Sequence, residues 1–113
     1  MTAPAPGPPE LMQSALHAVV AVRELGGGCC SLEVEGPIPE TLPGQFFMLR
    51  TERRWPVLLP RPFSLYRRNA DGSAGSFLLK AVGPGTTTLS GLRAGERVWL
   101  TGPLGRPFPA SVP

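Results

Sequence analysis

Residues 76–101 read SFLLKAVGPGTTTLSGLRAGERVWLT, and this stretch contains both kinds of element that the sequence predicts, strands and a short helix. SFLLKAV is a short apolar run that ends at glycine and proline, which is typical of a strand followed by a turn. In TTTLSGL, Thr86 or Thr87 could cap one short helix whose Leu89 and Leu92 lie three residues apart on its inner face. RVWLTG then predicts the last strand.

The rest of the chain follows the same pattern, with short apolar runs separated by turn residues. Further strands are predicted at 14–25 (SALHAVVAVREL), 29–36 (CCSLEVEG), 44–50 (GQFFMLR) and 63–68 (FSLYRR). A parallel sheet is disfavoured because no helix of crossover length separates these runs. We therefore predict an all-β fold, a closed antiparallel Greek-key barrel of about six strands with one short helix.

Length and composition favour a single globular domain. The chain has 113 residues, of which 42% are hydrophobic, and we expect one domain at 13–109. Residues 1–12 are expected to be a disordered Pro/Ala/Gly-rich lead-in and residues 110–113 the start of a linker. No apolar run reaches membrane length and the first residues do not resemble a signal peptide, so we expect a cytoplasmic protein that does not contact a membrane.

Charge and cysteine content restrict the possible ligands. The net charge is +3 and comes almost wholly from arginine. A guanidinium fork matches phosphate oxygens, so a nucleotide cofactor and a nucleic acid would both fit this excess. Cys29 and Cys30 are the only cysteines, too few to hold an iron–sulfur cluster. As neighbours on a strand, one is expected to be buried and the other exposed. We expect both to be reduced and structural, and we expect no metal site.

Three motifs carry the candidate chemistry: Arg61-Pro62-Phe63-Ser64, Gly83-Pro84-Gly85-Thr86 and Gly102-Pro103-Leu104-Gly105, the last followed by Phe108. Arg61 could supply a forked cation to a phosphate. Gly83 and Gly85 would let a ligand approach the backbone closely. Gly85 and Thr86 open the predicted helix, where free N–H groups hold phosphate. The third motif is expected to be structural.

In this order the motifs resemble the flavin domain of the ferredoxin-reductase superfamily. Within it, the likeness is strongest to the electron-transfer subunits of bacterial NADH-linked dihydroorotate dehydrogenases. The matching segments are PGQFFMLR, LLPRPFSLYR and FLLKAVGPGTTTLSGLRAGERVWLTGPLGRPF, which together cover most of the chain. The resemblance implies FAD as cofactor and no catalytic side chain. The implied cofactor-binding residues are Arg61, Pro62, Phe63, Ser64, Leu79, Lys80, Ala81, Gly83, Gly85 and Thr86.

The resemblance also implies roles for these residues. Phe63, in place of the tyrosine common in the superfamily, would stack on the flavin, and Ser64 would hydrogen-bond the ring near N5. Leu79, Lys80 and Ala81 would line the flavin mainly through main-chain groups, and Lys80 would add charge near a phosphate. In a regular strand Phe63 and Ser64 point to opposite faces. Both can therefore reach one cofactor only along the strand edge or at a twist.

Proteins of this kind continue into a nicotinamide-binding domain and a cysteine-rich iron–sulfur segment, whereas this sequence stops at Pro113. We therefore expect weakened FAD binding and no NADH-linked activity from this chain alone. The implied function of the intact protein is electron relay between NADH and a catalytic dihydroorotate dehydrogenase subunit in pyrimidine biosynthesis. The NAD-binding domain and that subunit are the expected partners.

An alternative is a small basic β-barrel that binds nucleic acid, or a partner subunit, without a cofactor. A nucleic-acid barrel needs exposed aromatic residues beside cations, and the candidates are Phe47, Phe63 and Tyr66 near Arg50, Arg67 and Arg68. Other conspicuous residues are expected to play structural or solvated roles. They are His17 as a satisfied or edge histidine, Trp55 and Trp99 in packing, and Arg50, Arg53 and Arg54 as a solvated face that could also dock an acidic partner.

Overall fold

The computed structural model describes residues 13–107, so the predicted lead-in at 1–12, Phe108 and the linker at 110–113 lie outside the described residues. Each predicted strand is found, and the fourth is divided in two at Ser64. No helix within 13–107 is long and apolar enough to cross a membrane. The elements are β1 (Gln13–Gly26), β2 (Cys29–Glu35), β3 (Phe46–Thr51), β4 (Arg61–Phe63), β5 (Leu65–Arg68), β6 (Ala74–Lys80), α1 (Pro84–Ser90) and β7 (Arg97–Leu104).

The strands form one seven-stranded sheet in the order β4-β3-β7-β1-β2-β6-β5, with every pair antiparallel. The long strand β1 pairs with β7 up to Ala18 and with β2 from Val19 onward. The prediction of an antiparallel all-β fold with one short helix is confirmed. The two edge strands, β4 and β5, are consecutive in the chain and only Ser64 separates them.

The core follows from the alternation of apolar residues along the strands. On β2, Leu32 and Val34 are fully buried, whereas Glu33 points outward and pairs with Arg23 of β1. The aromatic rings of Phe47 and Phe77 meet edge to face with their centroids 5.7 Å apart. The helix packs on this core through Leu89, which is fully buried, as predicted. Leu92, expected on the same face of the helix, lies beyond its end at Ser90 and packs against the core from the following turn.

Two residues with reactive side chains, His17 and Cys30, are held in structural positions. His17 is buried, and its Nδ1 lies 2.7 Å from the carbonyl oxygen of Glu35, as expected of a satisfied histidine. Cys30 is buried and Cys29 half-buried. Burial raises the pKa of the Cys30 thiol, and Glu24 and Cys29 add to the rise. The Cys30 thiol therefore stays protonated at neutral pH and is a weak nucleophile.

Arg68 is a structural residue. Its Nε donates to the carbonyl oxygen of Ile38 at 2.9 Å, and its Nη1 donates to the carbonyl oxygens of Asn69 and Ala70 at 3.2 and 3.1 Å. The side chain thus joins the β5–β6 turn to the connector that follows β2. Arg67, the next residue back, is exposed, with its guanidinium 5.0 Å from the ring centroid of Tyr66.

Substitution of Arg68 by alanine should destabilise the fold, because three carbonyl groups lose a charged donor. We expect Arg68→Ala to lower the free energy of unfolding by about 1–3 kcal/mol, measured by urea denaturation. Arg67→Ala is the matched control and should change it by less than about 0.5 kcal/mol. Equal effects of the two substitutions would contradict the structural role of Arg68.

Candidate functional site

The first motif lies where the chain changes its sheet partner. Phe63, the last residue of β4, pairs with Phe47 of β3, and Leu65, the first residue of β5, pairs with Phe77 of β6. Ser64 belongs to neither strand and is exposed, whereas Phe63 packs partly against the core. Because the strand is interrupted at Ser64, the regular alternation that would separate these two side chains does not hold there.

Strand β6 presents an uncovered edge beside Ser64. The pairing of β5 with β6 stops at Phe77, whereas β6 continues to Lys80 against β2. The main-chain edge of residues 78–80 therefore has no strand on the β5 side. The side chain of Leu79 is buried in the core, so only its main chain can reach a ligand, whereas Lys80 and Ala81 are exposed.

The second motif starts the helix, one turn earlier than expected. Gly83 is the N-cap and Pro84 the first helical residue, a position that suits proline because no intrahelical acceptor is available for an N–H there. The prediction that Thr86 or Thr87 is the N-cap is therefore wrong. Thr86 instead caps from within the first turn, where its Oγ1 accepts from the backbone N–H groups of Val82 at 3.0 Å and Gly83 at 3.2 Å.

The capping role of Thr86 determines which donors are available to a ligand. Its hydroxyl is already occupied by main-chain groups. Thr87 donates its N–H to the carbonyl oxygen of Gly83. Within residues 13–107, the backbone N–H groups of Gly85 and Thr86 have no acceptor, as expected for the first turn of a helix. These two N–H groups are the donors that the helix start offers.

The structure brings Arg61 and the helix start together. A Cβ atom placed on Gly85 would lie 3.3 Å from Cγ of Arg61 and 3.1 Å from Cη2 of Trp55. The stem of Arg61 therefore packs over the start of α1, although the two motifs lie on different elements. In the described part of the chain, the guanidinium of this exposed arginine makes no hydrogen bond or ion pair, unlike those of Arg23 and Arg97.

Gly83 differs from Gly85 in its surroundings. A Cβ atom on Gly83 would have no heavy atom within 4 Å, and the backbone there is extended, with φ of −162°. Neither packing within the protein nor backbone conformation requires glycine at position 83. The space beside its Cα is open. We call the surface formed by Arg61, Gly83, Gly85 and Thr86 the Arg61 face.

The third motif is structural, as expected. A Cβ atom on Gly102 would lie 2.7 Å from Cδ2 of Phe47 and 2.9 Å from the carbonyl oxygen of Phe46, so the backbone of β7 packs directly on β3 here. Leu104 pairs with Phe46 in the same ladder. Glycine at position 102 is thus explained by a close approach inside the protein.

Trp55 is a packing residue, as predicted. Its indole packs on the core and also against Gly85. Its place in a proline-bounded loop just before Arg61 was the sequence signal for a position near the first motif, but the contact with Gly85 was not predicted. Trp99, the other tryptophan, lies on the outer surface of β7, opposite Arg50 of β3.

The larger concave surfaces lie away from the Arg61 face. A groove of about 390 Å³ on the outer side of β1, β2, β6 and β5 is lined by Tyr66, Arg67 and small residues such as Ser76. A second, of about 400 Å³, lies between the β1–β2 hairpin and the end of α1. The Arg61 face lines neither; Arg61 is exposed, Gly83 and Thr86 are half-buried and Gly85 is buried. We nevertheless favour it for an anion, because it combines an unpaired cation with two unpaired N–H donors.

The capping role of Thr86 can be tested by removing its hydroxyl. We expect Thr86→Val to lower the free energy of unfolding by about 1 kcal/mol, because the N–H groups of Val82 and Gly83 lose their acceptor. Thr87→Val is the matched control, since that exposed hydroxyl makes no hydrogen bond in the described region. Urea denaturation of both variants checks this. Unchanged stability of Thr86→Val would rule out the capping role.

Comparison with known proteins shows which proteins this chain is similar to. No family model matches the chain. The electron transfer subunit of dihydroorotate dehydrogenase B from Clostridium acetobutylicum is 42% identical over 83 residues, which are 72% of this chain and 31% of that protein. The corresponding subunit from Bacillus mycoides is 33% identical over 101 residues, 88% of this chain and 39% of that protein. The chain thus spans well under half of these relatives.

Solved structures of reductases are also similar to this chain. The ferredoxin reductase in carbazole 1,9a-dioxygenase matches 83% of this chain with a TM-score of 0.70 and 30% identity, over 29% of its own length. An NADH-dependent reduced ferredoxin-NADP oxidoreductase matches 84% of this chain and 36% of its own length, with a TM-score of 0.71 and 23% identity, a likeness of fold. The chain is therefore similar to a ferredoxin reductase in fold and sequence, and to electron transfer subunits of dihydroorotate dehydrogenase B over 31% to 39% of their length.

Proposed function

We propose that this chain is an FAD-binding module of an electron-transfer oxidoreductase and that the Arg61 face holds the cofactor's diphosphate. The observation that carries the proposal is the packing of the Arg61 stem against Gly85, at a helix start with two unpaired N–H groups. FAD, when bound, supplies the redox chemistry. The chain's own share is to bind and orient it.

The donors of the Arg61 face fit a diphosphate. A guanidinium can donate two parallel hydrogen bonds to phosphate oxygens, and the backbone N–H groups of Gly85 and Thr86 can donate to others. The helix has only seven residues, so we assign the attraction to these donors more than to the helix dipole. The open space beside Gly83 would let a phosphate oxygen approach the backbone. A cation beside two unpaired donors favours an anion at this surface.

The flavin ring would lie next to the strand interruption at Ser64. Phe63 is partly buried, so we propose that its remaining exposed surface packs against the ring, and that Ser64 hydrogen-bonds the ring near N5. The uncovered edge of β6 at residues 78–80 would contribute main-chain groups of Leu79 and Lys80, with Ala81 beyond them. Pro62, exposed between Arg61 and Phe63, would help to shape the same surface.

Exposed apolar side chains surround the Arg61 face. Leu58 and Leu59 precede Arg61 and are 94% and 65% exposed, and Val82 precedes Gly83 and is 76% exposed. Side chains of this kind favour a surface that a ligand or another domain covers. We propose that a nicotinamide-binding domain covers this side in the intact protein, and that the sheet closes into a barrel where its edges meet at Ser64.

For the intact protein we propose the activity of the similar dehydrogenase subunits. It would relay electrons between NADH and a catalytic subunit that oxidises dihydroorotate in pyrimidine biosynthesis, in the cytoplasm. The 42% sequence identity over 83 residues with an electron transfer subunit of dihydroorotate dehydrogenase B supports this choice of partner. The alternative of a nucleic-acid-binding barrel has less support, because Phe47 is buried in the core and Arg68 is bound to main-chain carbonyls.

The proposal predicts FAD binding that depends on Arg61. We expect purified chain to quench or shift the fluorescence of added FAD, and Arg61→Ala to weaken binding by about tenfold or more, since charged hydrogen bonds contribute about 1.5–3 kcal/mol each. Arg50→Ala, which removes an exposed arginine on the outer side of β3, is the control and should leave the Kd unchanged. Equal Kd values for wild type and Arg61→Ala would overturn the phosphate assignment.

We expect Gly83→Ala to weaken FAD binding without changing the stability of the fold. The added methyl group meets open space and an extended backbone, so urea denaturation should show a stability close to that of the wild type. The same methyl group should weaken FAD binding if the diphosphate passes there. An unchanged Kd in Gly83→Ala would remove Gly83 from the proposed site.

A further inference from the structure

We propose that Trp55 is a positioning residue of the Arg61 face: it orients the Arg61 side chain and limits position 85 to glycine without touching the ligand itself. This inference rests on the proposed FAD-binding function for its effect on affinity. Its structural part, the ordering of Arg61, can be measured without a ligand.

The indole is held at three points. Its ring packs on the hydrophobic core, and its Nε1 donates to the carbonyl oxygen of Leu59 at 3.1 Å. Its outer edge meets Gly85, since a Cβ atom there would lie 3.1 Å from Cη2 and 3.4 Å from Cζ2. The bond to Leu59 also closes the loop that leads directly into Arg61. Trp55 is therefore fixed to the core, to the helix start and to the residues that precede Arg61.

The indole and the Arg61 side chain both approach the position that a Cβ atom on Gly85 would take. Cγ of Arg61 lies 3.3 Å from the position that a Cβ atom on Gly85 would take. The arginine stem and the tryptophan edge thus both lie within 3.4 Å of one point over the glycine. In the proposed arrangement the indole limits where that stem can lie. Long cationic side chains lose much rotamer freedom when they bind. An arginine that is already ordered before binding loses less, which raises its affinity for an anion.

Sterics also explain why position 85 is glycine. Contacts of 3.1 to 3.4 Å to two side chains are closer than ordinary van der Waals distances, so an alanine there would push the indole or the arginine stem aside. Phenylalanine at position 55 lacks the outer ring atoms that make the contact. We therefore expect Gly85→Ala to lower the urea midpoint by less in the Trp55→Phe background than in the wild type.

The decisive experiment is a double-mutant cycle on FAD affinity with wild type, Trp55→Phe, Arg61→Ala and the double variant. We expect Trp55→Phe to raise the Kd for FAD about threefold to tenfold, and to have no further effect once Arg61 is absent. Trp99→Phe, at the outer surface of β7, is the control and should leave the Kd unchanged. An equal effect of Trp55→Phe in both backgrounds would overturn the inference, because Trp55 would then act without Arg61.

A ligand-free measurement tests the inference independently of FAD binding. Side-chain ¹⁵N relaxation should show the Arg61 Nε of the wild type more ordered than the Nε of exposed Arg67, and more mobile in Trp55→Phe. An Arg61 Nε as mobile as that of Arg67 in the wild type would overturn the inference even if Trp55→Phe failed to fold. Absence of FAD binding with an ordered Arg61 would instead overturn the proposed function and leave the positioning role supported.

Discussion

The fold depends on one covalent constraint: the two edge strands of the sheet are joined by a single residue, Ser64. Strand β4 pairs with β3 at one end of the sheet and β5 pairs with β6 at the other, so the chain passes from one edge strand to the other at Ser64. Arg61, at the start of β4, packs over α1, which follows β6.

The arginines of the described chain differ in what their guanidinium groups bind. Arg68 is bound to three main-chain carbonyls, and Arg23 and Arg97 are paired with glutamates. The stem of the exposed Arg61 packs near Gly85, and its guanidinium makes no hydrogen bond or ion pair within residues 13–107. The proposed phosphate contact would use this guanidinium.

Much of the fold could be predicted from the sequence because it depends on local patterns. The alternation at Leu32 and Val34 correctly predicted the buried side of β2. Of the two leucines expected on the inner face of the helix, Leu89 lies within it and is buried, whereas Leu92 lies beyond its end. The division of the fourth strand at Ser64 could not be predicted, because it depends on which strands pair at the two sheet edges. The helix start was placed too late because the threonines were taken as the N-cap, whereas proline at the first helical position moved it earlier.

The candidate site could be predicted only in part for the same reason. Arg61 and Gly85 were selected by residue type and order, and the structure brings them into contact. The role of Trp55 depends on a tertiary contact that sequence spacing does not encode. The different surroundings of Gly83 and Gly85 could not be read from a motif in which both are glycine, since only packing shows that one faces open space and the other faces two side chains.

The most direct test of the proposed FAD site at the Arg61 face is amide NMR of the ¹⁵N-labelled chain during titration with FAD. We predict that the largest chemical-shift changes occur at the backbone N–H groups of Gly85 and Thr86 and at Nε of Arg61. Largest changes in the groove around Tyr66 and Ser76 on the outer side of the sheet, with Gly85 and Arg61 unaffected, would contradict it.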